Sequence, residues 1–131
     1  MITKTLLALA FIAFVAGSPV LAHHSANAQF DTKQDVTLIG VVTKVENINP
    51  HSWWHLEVKG SDGKITKWKL ESLSPNGLIR QGLKVKSDIK IGDTYQLRIA
   101  PAWKDTLEDG EKLGFMKAIT FGGKEYVVVE L

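Results

Sequence analysis

All four histidines of the chain lie in two short clusters, His23 with His24 and His51 with His55. Neutral imidazole is the commonest side-chain ligand for metals in proteins, and it suits copper and zinc. If His23 is the first residue of a processed chain, its free α-amine and its ring nitrogen can chelate one ion. One further imidazole then completes a three-nitrogen site. The histidines therefore indicate a metal site, with copper as the first candidate.

Distance along the chain decides which histidines can share an ion. The Cα atoms of His51 and His55 would lie roughly 13 Å apart in a strand, because each residue advances the chain by about 3.3 Å. His51 follows Asn49-Pro50 at a loop edge. We therefore expect His51 to join His23, and we expect His55 on the surface beside Lys69.

Two further side chains belong to this hypothesis. Strand alternation places Glu71 on the same outer face as His51, either as another ligand or as the acceptor that orients a histidine ring. His24 is the other additional candidate. The predicted metal-binding set is His23, His24, His51 and Glu71, and it is similar to the copper histidine brace in ligand type alone.

No pattern of side chains indicates catalysis without a metal. The chain has no cysteine, no Gly-x-Ser-x-Gly, no phosphate-cradling glycine loop and no His-Glu-x-x-His. We therefore assign no catalytic residue. A metal site could still support a reaction, but a dedicated hydrolase is not expected.

Exposed tryptophans offer a different function. Trp53 and Trp103 could stack on a ligand, although aromatic side chains more often cover the end of a barrel. The alternative hypothesis is a metal-free binding module for a peptide, a glycan or a partner protein.

The first 22 residues have the pattern of a secretory signal peptide. One positive charge, Lys4, precedes eleven apolar residues at 6–16, and Val20-Leu21-Ala22 supplies a cleavage site. Eleven helical residues span only about half of a bilayer core of roughly 30 Å, which argues against a membrane anchor. We expect cleavage after Ala22 and a periplasmic or secreted protein.

A second cleavage site stays open. Ala26-Asn27-Ala28 also has small residues at the required spacing, and cleavage there would give a chain that starts at Gln29 and lacks His23 and His24. We favour the first site because it lies nearer the apolar run. The predicted organisation is a signal peptide over 1–22, an extended arm over 23–35 and a barrel domain over 36–131.

The charge balance of the processed chain limits its partners. Removal of 22 residues leaves 109, enough for one domain, and Lys4 is the only charge lost, so 15 basic residues face 14 acidic ones. A protein that binds the nucleic-acid backbone needs a dominant positive field. We therefore expect a metal ion or small ligand as partner, with a protein partner also open, and neither nucleic acid nor a membrane span.

The barrel domain shows β-strand alternation interrupted once by a helix signal. Ser74-Pro75 predicts a helix start and Gly82 a helix end. Five strands with one short helix between the third and fourth indicate an all-β fold, an OB-fold-like Greek-key barrel, with another small barrel or a half-open sandwich as the alternatives. The predicted elements are strands from Val36 to Ile48, Ser52 to Lys59, Lys64 to Glu71, Thr94 to Ala100 and Gly114 to Phe121, a helix from Asn76 to Gln81, and a last short strand from Glu125 to Val129.

The second and third strands predict a hairpin with one register. A three-residue loop over 61–63, with Gly63 in the left-handed conformation, pairs Gly60 with Lys64. Leu56 then faces Trp68 and Trp54 faces Leu70, so apolar side chains share one face. A two-residue turn would bury lysines instead, so the sequence favours the longer loop.

Several segments together resemble a bacterial family of small exported proteins of unknown function. The most specific are the Ala-His-His-Ser start and the Asn-Pro-His step. The segments are Ala22-His23-His24-Ser25, Phe30-Asp31, Val36 to Val42, Asn49-Pro50-His51, Trp68, Glu71, Ser74-Pro75-Asn76, Gly82 and Lys90 to Asp93.

The resemblance implies that His23, His24 and His51 belong to the family pattern and that His55 does not. The chain departs from the pattern at Ile91, where the family tends to have proline, and over 83–86. These departures affect the loop before the fourth strand, and the family supplies no activity to transfer.

Overall fold

The computed structural model describes residues 26–107 and 109–131. The predicted signal peptide, His23 and His24 lie outside these ranges. The described residues form one helical turn at 26–29 and then the following elements. They are β1 (Val36–Glu46), β2 (Trp53–Lys59), β3 (Ile65–Glu71), α1 (Pro75–Arg80), α2 (Val85–Asp88), β4 (Thr94–Thr106), β5 (Lys112–Phe121) and β6 (Lys124–Val127).

Strands β1 to β5 close into a barrel. The sheet order is β3-β2-β1-β4-β5-β6, with antiparallel neighbours, and an additional parallel pairing joins β3 to β5. That pairing runs from Trp68 opposite Lys112 to Glu71 opposite Phe115. Closure removes the open edges of the five-stranded sheet, and β6 extends β5 outside it. The predicted all-β, OB-fold-like barrel is confirmed.

The β2–β3 hairpin has the predicted register. Leu56 pairs with Trp68 and Trp54 with Leu70, and the Gly60 N–H donates to the Lys64 carbonyl oxygen at 2.8 Å. The backbone angle φ of Gly63 is +80°, a conformation that residues with a Cβ atom rarely adopt. The observed pairing confirms the predicted register. The alternative register would have placed lysines in the core.

Two helices, where one was predicted, connect β3 and β4. The hydroxyl of Ser74 accepts from the Gly77 N–H at 3.1 Å, and Pro75 occupies the first turn of α1, as expected. The four-residue α2 was not predicted, because its start has no side-chain cap of the usual kind. Among the described residues, no helix is both long and apolar enough to cross a membrane.

Strand β4 continues beyond its predicted end at Ala100. It reaches Thr106, so part of the segment between the predicted fourth and fifth strands is also strand. The pairing with β5 shifts register between Pro101 and Thr106. This irregularity accommodates Pro101, which has no backbone N–H to donate to the neighbouring strand. The proline therefore marks an irregularity and not the end of the strand.

The core has two parts. The larger fills the barrel and includes the fully buried Trp54 and the nearly buried Trp68, as predicted. The smaller lies at one end and contains Phe30 from the arm, with Ala100, Ala102, Leu113 and Phe115. The arm is therefore packed against the barrel through a core residue.

Candidate functional site

Ser52 fixes the loop that carries His51. It is fully buried, and its backbone N–H and its hydroxyl donate to the Leu73 carbonyl oxygen at 3.1 and 2.7 Å. Its hydroxyl also accepts from the indole N–H of Trp54 at 3.2 Å. These bonds tie the segment before β2 to the segment after β3, so His51 is held beside the end of β3.

His51 and Glu71 are brought together, as predicted. The Nδ1 atom of His51 lies 2.5 Å from Oε1 of Glu71. Burial raises the pKa of Glu71 above its ordinary value, and the nearby His51 ring opposes part of that rise. Because the Nδ1 side of the ring faces the carboxyl group, Nε2 points away from this contact and is the nitrogen available to a ligand. A carboxyl group in this position can accept a hydrogen bond from the ring and so orient it.

A cavity of about 330 Å³ opens next to this pair, and we call it the arm cavity. His51, Glu71 and Ser72 contribute polar groups to its wall. The remaining wall combines arm residues with side chains from the barrel and the C-terminal segment, namely Ala26, Gln29, Phe30, Leu73, Phe115, Val129 and Leu131. The first described residue, Ala26, therefore shares a cavity with two of the predicted metal ligands.

Phe30 docks the arm on the barrel. It is 1% exposed, its backbone bridges to Ala102, and its ring lies edge-on to Phe115 with centroids 5.5 Å apart. The preceding turn closes through the Phe30 N–H and the Ala26 carbonyl oxygen at 2.8 Å. An extended arm was predicted over 23–35, but residues 26–29 form a helical turn that directs Phe30 inward.

Lys117 on β5 holds the next part of the arm. Its side chain is only 5% exposed, and Nζ donates to the carbonyl oxygens of Thr32 at 2.9 Å and Gln34 at 3.3 Å and to Oδ1 of Asp35 at 2.6 Å. The ammonium group of Lys117 lowers the pKa of Asp35 below its ordinary value. Sequence reasoning missed this anchor, whose only signal is a lysine inside an apolar strand segment.

His55 lies apart from this site. It faces Lys69 across the hairpin, as predicted, but its side chain is 18% exposed. Glu46 contacts Nε2 at 2.7 Å and Glu111 contacts Nδ1 at 3.6 Å. His55 is therefore half-buried at the barrel surface, because carboxylates from β1 and from the loop before β5 cover part of the ring. The contact with His55 is the main cause that lowers the pKa of Glu46.

The two predicted ligand-binding tryptophans have different environments. Trp53 is half-buried against the smaller core, and Nζ of Lys69 lies 4.8 Å from its ring centroid. Trp103 is 62% exposed, and its indole N–H donates to the Asn27 carbonyl oxygen at 2.9 Å. Trp103 thus supports the helical turn of the arm, and a role for either ring in ligand binding stays a prediction.

The described ranges contain no cluster of three or more histidine, cysteine, aspartate or glutamate side chains arranged to hold a metal ion. His51 and Glu71 are the predicted metal-binding residues that these ranges include, and they are in contact. The other two, His23 and His24, lie outside the described residues and precede Ala26 at the arm cavity by three and two positions.

The comparisons with known proteins give one match. No curated protein and no solved structure matches the chain. A family model matches residues 11–113, more than three quarters of the sequence. The predicted resemblance to a family of unknown function is confirmed at that level, and the chain belongs to DUF6152, a family of unknown function.

Proposed function

We propose that this chain is an exported periplasmic protein that binds copper, or another transition metal, through the amine and ring of His23 together with the ring of His51. The observation that carries the proposal is the position of His51. Its ring is oriented by Glu71 at a cavity that the beginning of the arm also lines.

The length of the chain allows His23 to reach this cavity. Ala26 follows His23 by three positions, and each step along the chain spans at most about 3.6 Å, so the two Cα atoms can lie no more than roughly 11 Å apart. Phe30 and Lys117 fix the arm a few residues further on. A chain that starts at His23 would therefore have its amine within reach of the cavity that Ala26 and His51 line.

The contact between His51 and Glu71 has the form that metal-binding histidines usually show. Such a histidine donates one ring N–H to a carboxylate and binds the ion through its other nitrogen. Glu71 would take the acceptor role, and Nε2 of His51 would bind the ion. His24 is the additional ligand candidate beside His23.

Copper titration of correctly processed protein tests the proposal. Protein that starts at His23 is titrated with Cu(II) and followed by calorimetry and electron paramagnetic resonance. Addition of one residue before His23 keeps every imidazole but converts the amine to an amide, so the affinity should fall at least tenfold. His51→Ala should weaken binding similarly, and Glu71→Gln by about 10–100-fold. His55→Ala is the matched control and should leave the affinity unchanged.

The pH dependence of the titration gives a second readout. Each ligand must lose its proton, and the reference pKa is about 7.7–8.0 for an α-amine and about 6.5 for imidazole. Copper affinity should therefore rise steeply between about pH 5 and pH 8. Equal binding by the processed and the extended protein, or no binding at micromolar metal, would exclude this site.

The intact mass of protein recovered from the periplasm tests both export and cleavage. A chain that starts at His23 agrees with the proposal. A chain that starts at Gln29 lacks His23 and His24 and would favour the second candidate, a metal-free module that binds a peptide, a glycan or a protein. The exposure of Trp103 is the observation that favours this candidate.

A further inference from the structure

We propose that the arm cavity also binds a small neutral organic molecule, one aromatic ring in size, that carries a single hydroxyl group. This inference goes beyond the metal site, because it concerns the interior of the arm cavity and requires no metal. It rests on the size of the cavity, the chemistry of its wall and one buried polar group.

The size and the wall favour a ring. The arm cavity measures about 330 Å³, whereas an apolar cavity of about 150 Å³ is enough to bind benzene in another protein. Phe30 and Phe115 meet edge to face at 5.5 Å in its wall, and Leu73 and Val129 add aliphatic surface. A ligand with an aromatic ring and a short alkyl group could contact both the aromatic and the aliphatic side chains of the wall.

Ser72 predicts the hydroxyl group of the ligand. It lies in the wall and is fully buried, and its Oγ has no hydrogen-bond partner among the described residues. Buried polar groups are normally paired, so this one needs an explanation. Because Oγ is itself buried, pairing with a ligand hydroxyl requires the serine side chain to turn about its single bond to another staggered position that faces the cavity.

The charge of the wall favours a neutral ligand. Among the described residues of the wall, Glu71 is the one acidic side chain, and it is already in contact with the ring of His51. An anion would lie against this carboxyl group, and a cation would compete with His51 for it. A neutral hydroxyl avoids both conflicts and can still pair with Ser72.

Two probes that differ by one hydroxyl group test the proposal on metal-free protein kept in chelator. Binding of 4-ethylphenol and of ethylbenzene is measured by calorimetry and by chemical-shift changes of Phe30 and Phe115. The processed protein should bind both saturably, with 4-ethylphenol at least tenfold tighter. In Ser72→Ala this ratio should fall to near one. Ser61→Ala, in the exposed hairpin loop, is the matched control and should keep the ratio.

A cavity-filling variant and a shortened chain complete the test. Val129→Phe should abolish binding of both probes, provided that its denaturation midpoint shows a folded barrel. Protein that starts at Ala26 should bind 4-ethylphenol as the processed protein does. Tighter binding only after removal of residues 23–25 would show that the chain itself occupies the cavity and would overturn the proposal.

Three further results would also overturn it. These are no saturable binding at millimolar probe, an unchanged probe ratio in Ser72→Ala, or chemical-shift changes away from Phe30 and Phe115. Because every measurement is made without metal, failure of the copper site and failure of this ligand site are observed separately.

Discussion

Replacement of Trp68 by alanine should lower the free energy of unfolding by about 3 to 5 kcal/mol. Trp68 is 9% exposed, faces Leu56 across the hairpin and belongs to the larger core. Removal of the indole ring leaves a cavity beside strands that close the barrel, because β3 pairs with both β2 and β5. Little backbone movement is available to fill it.

The expected loss is a large part of the total free energy of unfolding of such a domain. Domains of this length have total stabilities of about 5 to 15 kcal/mol. A loss of 3 kcal/mol or more should lower the melting temperature by more than about 10 °C. The amine of Lys112, which lies 5.5 Å from the centroid of the Trp68 ring, loses a weaker cation–π contact as well.

Urea denaturation of the variant and the parent measures the effect, with the slope of the transition checked for equality. Trp103→Ala is the matched control, because Trp103 is 62% exposed. That variant should lose only about 0.5 to 1.5 kcal/mol, from one hydrogen bond. Coincident midpoints for Trp68→Ala and the parent, or equal losses for the two tryptophans, would refute the packing argument.

Three other substitutions test the arm and the barrel. Lys117→Met removes three hydrogen bonds to the arm, so amide exchange at Asp31 and Gln34 should accelerate more than exchange in β1; equal rates would contradict the anchor. Gly114→Ala should cost about 1 to 3 kcal/mol in urea denaturation, because a Cβ would lie 2.8 Å from Cδ1 of Ile99; an unchanged midpoint would contradict this. Asp35 has a lowered pKa, so its ionised form stabilises the fold above its ordinary pKa. The stability difference between parent and Asp35→Asn should therefore be present at neutral pH and disappear as acid protonates the carboxylate; a difference independent of pH would exclude it.

The hairpin and the barrel order could be predicted because local patterns leave few alternatives. Alternation in β2 and β3 allows one register that buries Trp54 with Leu70, and a glycine stands at the one position of positive φ in the loop. Ser74-Pro75 marks a helix start by its own chemistry. Sequence patterns of this kind involve residues that are neighbours in the chain or are joined by one short hairpin loop.

The interactions that build the site could not be predicted in the same way. Lys117 pairs with Asp35 across 82 positions, and Ser52 pairs with Leu73 across 21. A buried serine or lysine gives no periodic signal, since its position is set by the partner that the fold supplies. The carboxylate contacts of His55 were not predicted for the same reason, because Glu111 approaches it from 56 positions away.

The arm connects the fold with the proposed chemistry. Phe30 packs in the smaller core and Lys117 binds the backbone that follows it, so the arm is held at two successive points. A free terminal amine on an unattached tail would sample a large volume, and its capture by a metal would cost conformational entropy. In the proposed function, an arm docked through Phe30 and Lys117 would limit the volume that the amine of a chain starting at His23 can sample before any ion binds. The barrel would thus contribute to metal affinity through residues that never touch the metal.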